Sequence, residues 1–396
     1  MKKSIAIIGG GPAGMALAAF LDNQKYQVTL YEKNKALGRK FLVAGKGGFN
    51  LTHSLPMAKL KQKYAPVHFL SESLDLFTNE SLRKWLLSLG IPTFIGSSGR
   101  VFPEKGIKPI EVLRAIVNEL ERKKVTIEYQ KEWTGWDQKG NLVFNHEEVV
   151  QSDVQVFALG GGSWKITGSD GKWLEIFAKR GIKTLPFLAA NCAFSVTWPF
   201  DFINKWEGGP LKNIGISCNN HYIKGEVVVT NFGLEGNAIY GLTRQIQGYL
   251  QKEEPAPIFL DLKPVFTNEK IENLLLNSKN TAPTHLLKQD LKLTKIKIQL
   301  LKAYTSREEF LNPKLLSKKI KALPIIINKA APVDEAISTT GGVSLSELDS
   351  HYQLYRIPGT FCLGEMVDWY APTGGFLLQG CFSMGVGLAR YLNESN

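Results

Sequence analysis

The 396-residue sequence predicts an α/β fold in which both ends of the chain build one nucleotide-binding domain around an insert of different texture. Three observations carry that expectation. A short β-branched run, Ile5 to Ile8, ends in Gly9-Gly10-Gly11-Pro12-Ala13-Gly14 and leads into an alanine-rich stretch, the order strand, glycine turn, helix. Two more apolar runs end in glycine turns far along the chain: Val154 to Leu159 before Gly160-Gly161-Gly162, and Phe361 to Leu363 before Gly364-Glu365. Between them, aromatic and β-branched strands give way to lysine-rich helical stretches. At about 150 residues per domain, the length accommodates two or three domains. The expected division is a discontinuous domain over 1–190 and 331–396 with an inserted substrate domain over 191–330. The insert reads as β-barrel-like over 191–262 and as basic and helical over 267–322.

Each element follows from its local pattern. The first helix spans about Gly14 to Leu21, and Gln27 to Glu32 reads as the second strand, completing a βαβ unit of about 30 residues. Residues 33–56 read as a long loop rich in Gly and Lys. Lys108 to Lys124 carries Ile110, Leu113, Ile116, Val117 and Leu120 at helical spacing, with basic residues in its last turn. Val125 to Tyr129 and Asn141 to Phe144, across a Lys139-Gly140-Asn141 turn, read as a small β-meander. Strands are expected at Cys192 to Thr197 and Tyr222 to Thr230, and a terminal helix near Leu377 to Leu392.

Composition excludes several classes. With 44% hydrophobic and 21% charged residues, the chain is neither disordered nor fibrous. No run approaches the roughly 18 apolar residues of a membrane helix. The N-terminal apolar run is five residues long, too short for a signal peptide's core of about 7–15. Four dispersed cysteines without a CxxC fit a reducing cytoplasm. Six histidines in no metal spacing and no GxSxG elbow speak against a metalloenzyme or a hydrolase.

Gly9-x-Gly11-x-x-Gly14 after a strand is a Rossmann-like dinucleotide turn, with the helix N-terminus facing the phosphates. Glu32 ends the second strand 18 residues past Gly14, where a carboxylate accepts both hydroxyls of an unphosphorylated ribose, as in FAD or NAD. The second and third glycine turns select FAD of the two-dinucleotide-binding-domain type, bound without a covalent link. Gly161 lies at the returning strand, and Gly364 with Glu365 at the ribityl chain. Ala371-Pro372-Thr373-Gly374-Gly375-Phe376 then opens the last helix, whose free N–H groups suit the flavin pyrimidine edge. No second strand–GxGxxG–helix unit occurs, so NAD(P)H as electron donor docks directly on the flavin.

Five motifs occur in order: Gly38-Arg39-Lys40-Phe41-Leu42 with Gly45-Lys46-Gly47-Gly48-Phe49-Asn50-Leu51-Thr52-His53, then Ser98-Gly99-Arg100-Val101-Phe102-Pro103, then Thr340-Gly341-Gly342-Val343, then Gly364-Glu365-Met366-Val367-Asp368-Trp369, and finally Pro372-Thr373-Gly374-Gly375. Together they resemble a family of bacterial FAD-dependent oxidoreductases that includes aminoacetone oxidase-like proteins, a bile-acid enone reductase and a ribosomal RNA dihydrouridine synthase. The resemblance spans essentially the whole chain. It implies that Gly9, Gly11, Ala13 and Gly14 meet the pyrophosphate and Glu32 the ribose. Arg39 and Lys40 would lie beside the adenosine and phosphates, Asn50 by the flavin ring, and Gly374, Gly375 and Phe376 at its pyrimidine edge. The commoner pattern reads Gly-Gly-Arg-Cys-Asn where this chain has Gly47-Gly48-Phe49-Asn50, so a flavin-side cysteine is lost and the chain looks like a divergent branch.

Candidate catalytic residues are His53, Asp368 and Tyr370, each set against an ordinary packing role; Trp369, Cys381 and Arg100 are weighed in the same way. The expected function is FAD-dependent, NAD(P)H-driven reduction of an activated C=C bond in a small enone or an RNA uracil. Two alternatives stay open: an amine oxidase using oxygen, and a flavin-containing RNA- or ribosome-binding protein. Segment 279–329 holds twelve basic residues against three acidic ones, nine of the molecule's twelve net positive charges. It is either a nucleic-acid contact or a solvated lysine face.

Overall fold

A computed structural model describes residues 2–43, 48–277 and 282–395. Gly45, Lys46, Gly47 and Lys279 therefore lie outside the described residues. The chain divides into two compact units, one of residues 1–189 and 333–396 and one of residues 190–332.

The first unit is built on a five-stranded parallel sheet in the order Thr360–Cys362, Val154–Phe157, Lys3–Ile8, Tyr26–Glu32, Thr126–Tyr129. Ile5 to Ile8 are all buried, as expected of a central parallel strand covered on both faces. The helix Pro12–Phe20 buries Ala13 through Ala19. Its small side chains let the last helix, Phe376–Glu394, come close: a Cβ on Gly385 would sit 2.4 Å from the Ala13 carbonyl oxygen.

Two local readings need correction. Val125 to Tyr129 does not open a meander: Thr126–Tyr129 pairs in parallel with Thr29 to Glu32 at the sheet edge. The meander is Trp133–Trp136, Leu142–Phe144 and Glu148–Val150. A four-residue β-branched run looks alike in either place, and only its pairing partner distinguishes them. The supposed loop 33–56 also contains a short helix, Arg39–Val43, and a two-residue strand, Thr52–His53, paired with Arg100–Pro103.

The second unit is a closed six-stranded barrel with helices. The strands run in the order Phe194–Val196, Gly233–Glu235, His221–Val229, Pro210–Cys218, Ala256–Asp261, Leu323–Ala330. Closure thus needs Leu323–Ala330, which lies beyond the region read as β-rich and returns only after the helices. Those helices have recognisable starts. Thr267 caps Asn268–Leu276, a Ser306/Glu309 capping box opens Arg307–Leu311, and Asn312 caps Pro313–Lys321.

The basic segment is less of a surface than its composition suggests. Lys297 is 5% exposed, and its ammonium donates to the carbonyls of Asn213 (3.2 Å) and Leu262 (2.9 Å). Burial pushes its pKa down to about 8. Lys321 pairs with Asp261 at 2.6 Å and Lys319 with Glu309 at 3.1 Å. No described helix is long and apolar enough to cross a membrane, and no group of three His, Cys, Asp or Glu among the described residues could hold a metal.

Candidate functional site

The parallel strands Lys3–Ile8 and Val154–Phe157 deliver their glycine turns to one cavity of about 420 Å³ in the first unit. Gly9, Gly11, Ala13, Glu32, Arg39, Lys40, Gly364 and Glu365 all line it. Gly11 is the informative glycine. A Cβ there would meet nothing within 4 Å, so its backbone faces open space where a pyrophosphate can approach. Gly14 does a different job: a Cβ would sit 2.2 Å from the Gly9 carbonyl oxygen, so it sets helix–strand packing and does not line the cavity.

Glu32 is 9% exposed at the cavity wall. Its Oε2 accepts from the Gly10 N–H at 3.0 Å, and its Oε1 from the Asn34 N–H and Nδ2 at 2.9 and 2.7 Å. Three donors fix the carboxylate, and its remaining lone-pair sites are free for hydroxyl donors. Asn34 was missed by sequence reasoning, although an amide two residues past the carboxylate was a usable signal. Asn34 Oδ1 also accepts from Arg39 at 2.6 Å, which sets that guanidinium beside the same wall.

Lys40 donates to Ser163 Oγ and to Glu365 Oε2, both at 2.8 Å. Glu365 Oε1 accepts the Thr339 N–H at 2.9 Å. Gly160 lines the cavity and Gly161 does not; a Cβ on Gly161 would lie 2.1 Å from Thr339 Oγ1. Cys381 lines it too, and burial raises its thiol to about 12, which keeps it protonated. An open glycine, a fixed acidic wall and two cations fit a dinucleotide.

A second group assembles around the start of the last helix. Gly374 and Gly375 have φ of +119° and +89°. Gly375 packs directly on the Thr52 backbone, where a Cβ would come within 2.6 Å. Thr52 Oγ1 donates to Gln379 Oε1 at 2.7 Å, Gln379 Nε2 donates to the Phe77 carbonyl at 3.0 Å, and Tyr64 donates to the Phe376 carbonyl at 2.8 Å. A lone Gln on the apolar face of the last helix was the available hint of this buried network.

The His53 ring stacks on Phe376 at 5.1 Å and 15°. Its Nδ1 accepts the Leu55 N–H at 3.2 Å, and the ring also hydrogen-bonds the Ser98 backbone. Burial, the largest cause, pushes its pKa down, which favours the neutral ring. Asp368 Oδ1 accepts the Gly341 N–H at 2.8 Å. Tyr370 is buried and pairs through its backbone with Ala65, while Trp369 Nε1 donates to the Gly364 carbonyl at 2.8 Å. Asn50 is half-buried beside Gly48, and its N–H donates to the Gly48 carbonyl at 2.9 Å.

The family model described as HI0933-like protein Rossmann domain matches residues 3–391. Ribosomal RNA dihydrouridine synthase of Escherichia coli (strain K12) is 26% identical over 98% of this chain and 97% of its own length. The 3-dehydro-bile acid delta(4,6)-reductase of Clostridium scindens is 24% identical over 96% of this chain and 97% of its own length. Among solved structures, the open conformation of a flavocytochrome c3 fumarate reductase superposes with a TM-score of 0.52 at 12% identity. It covers 100% of this chain and 79% of that one, a likeness of fold.

Proposed function

The chain belongs to the HI0933-like family, and from that premise we propose that it is an FAD-dependent oxidoreductase that reduces a C=C bond conjugated to a carbonyl, as in an enone or an RNA uracil. The observation that carries the reading is the cavity in which the open Gly11 stands beside the fixed carboxylate of Glu32. When bound, FAD supplies the hydride and NAD(P)H replenishes it. Glu32 holds the ribose hydroxyls, and the start of Pro12–Phe20 faces the pyrophosphate with free N–H groups. Lys40 brings positive charge toward the phosphates, and Glu365 and Ser163 fix its position. Gly374, Gly375 and Phe376 offer the free N–H groups of the last helix to the pyrimidine edge. The reductase reading over an oxidase draws support from two whole-length relatives, one named as a dihydrouridine synthase and one as a delta(4,6)-reductase.

The test is anaerobic stopped-flow reduction of the yellow holoprotein by NADH, NADPH and a panel of amines. Rapid bleaching by a nicotinamide, reversed by an enone or a uracil-containing RNA, is expected. Bleaching by amines alone would make the chain an oxidase, and a protein that acquires no FAD would remove the flavin altogether.

A further inference from the structure

The Ser98-Gly99-Arg100-Val101-Phe102-Pro103 motif has no part in the dinucleotide cavity, yet the fold brings its arginine to the other group of site residues. Strand Arg100–Pro103 pairs antiparallel with Thr52–His53, with Arg100 opposite His53 and Val101 opposite Thr52. Directly opposed residues project to the same face of a sheet. Val101 and Thr52 are fully buried on one face, so His53 and Arg100 share the other.

That face meets the loop opening the last helix. His53 stacks on Phe376, and Arg100 Nε lies 3.8 Å from where a Cβ on Gly374 would stand. Gly99 presses on His53 as well: its φ is +79° and a Cβ would come 2.6 Å from the ring. The strand pair, the stack and the glycine turn therefore hold the arginine side chain against Gly374.

The guanidinium there has no intramolecular partner among the described residues. No ion pair among the described residues includes it, and the charges acting on neighbouring His53 are both positive, from Arg100 and Lys63. Arginine keeps its charge at any working pH and presents five donors in a planar fork. A half-buried arginine with no ion pair among the described residues, its Nε beside a glycine loop, is arranged to meet an electron-rich group from outside the chain.

Resting on the flavin reading above, we infer that Arg100 is the counter-charge for the pyrimidine edge of FAD, the N1 and C2-carbonyl side of the ring. Two electrons and one proton arriving as hydride from NAD(P)H leave the flavin with one negative charge, spread over that edge. A full positive charge beside it favours the reduced form more than the partial charge of a helix N-terminus does alone. It also favours sulfite, which adds to the oxidised ring and puts negative charge on the same atoms.

The experiment compares the FAD-loaded wild type with R100Q, R100M and R100K, measuring FAD content, sulfite affinity and midpoint potential by dye equilibration. Both neutral variants should retain FAD and lose sulfite affinity about tenfold. A tenfold change in the ratio of reduced-form to oxidised-form binding lowers a two-electron potential by about 30 mV. R100K should stay within about threefold of wild type. R100M carries the expectation if R100Q loses its flavin. Wild-type sulfite affinity and potential in the neutral variants overturn the assignment while leaving the flavin reading intact. An R100K as weak as R100Q overturns the charge argument, and a wild type that takes up no FAD overturns both readings together.

Discussion

Glu32 shows how much a single side chain does when its surroundings fix it. A surface glutamate samples many rotamers, but this one is held by the Gly10 and Asn34 backbone N–H groups and by the Asn34 amide. If it holds the ribose as proposed, removing it takes away acceptors worth about 1.5–3 kcal/mol for a charged partner. Glu32→Ala should therefore weaken FAD roughly 10- to 100-fold, read by titrating apoprotein with FAD and following flavin fluorescence. Unchanged affinity would take Glu32 out of the site. Lys297 teaches the opposite lesson about counting charges. The sequence places it among surface lysines, but the fold threads it between two carbonyls, where its ammonium is not free to meet a phosphate.

Among the elements, the opening of the last helix and the first glycine turn make a controlled contrast. Gly375 has φ of +89° and the Thr52 backbone within 2.7 Å of any added Cβ, so Gly375→Ala combines backbone strain with a clash that no side-chain rotation relieves. Strain of this kind costs about 1–3 kcal/mol per residue. Urea unfolding of Gly375→Ala should show at least that loss. Gly11→Ala meets open space, so its midpoint should move little while FAD binding falls, because the added methyl occupies the approach to the pyrophosphate. Equal destabilisation by the two substitutions would contradict these assigned roles. The turn at Gly9-Gly10-Gly11 was legible because period, spacing and helix start coincide locally. The pairing of Thr52–His53 with Arg100–Pro103 was not, because two short strands nearly fifty residues apart carry no mutual signal.

At the scale of the whole molecule, the charge imbalance bears on the substrate. The fold leaves Lys288, Lys292, Lys295, Lys302, Lys314 and Lys318 exposed, while Lys297, Lys319 and Lys321 have protein partners. If an RNA uracil is the substrate and these exposed lysines meet phosphates, each contact changes the slope of log affinity against log salt by about 0.7 for single strands. Replacing Lys288, Lys295 and Lys302 with Gln should then flatten the slope by about two units while FAD content stays unchanged. Identical slopes for wild type and the triple variant would favour a small enone.

The sequence alone determined the parallel α/β core, the glycine turn that opens the first helix, the carboxylate at the end of the second strand and the insertion of a second unit. Each is written in local periodicity or in a motif of fixed spacing, and backbone geometry enforces those over a few residues. Tertiary structure alone decided which strand closes the barrel, since Leu323–Ala330 finds Phe194–Val196 across more than a hundred residues. It also decided that Thr126–Tyr129 joins the main sheet, that Gly160 rather than Gly161 faces the cavity, and that Arg100 stands beside Gly374. Strand partners, burial and the neighbours of a charged group depend on which distant segments meet in space, and no residue's own preferences encode that.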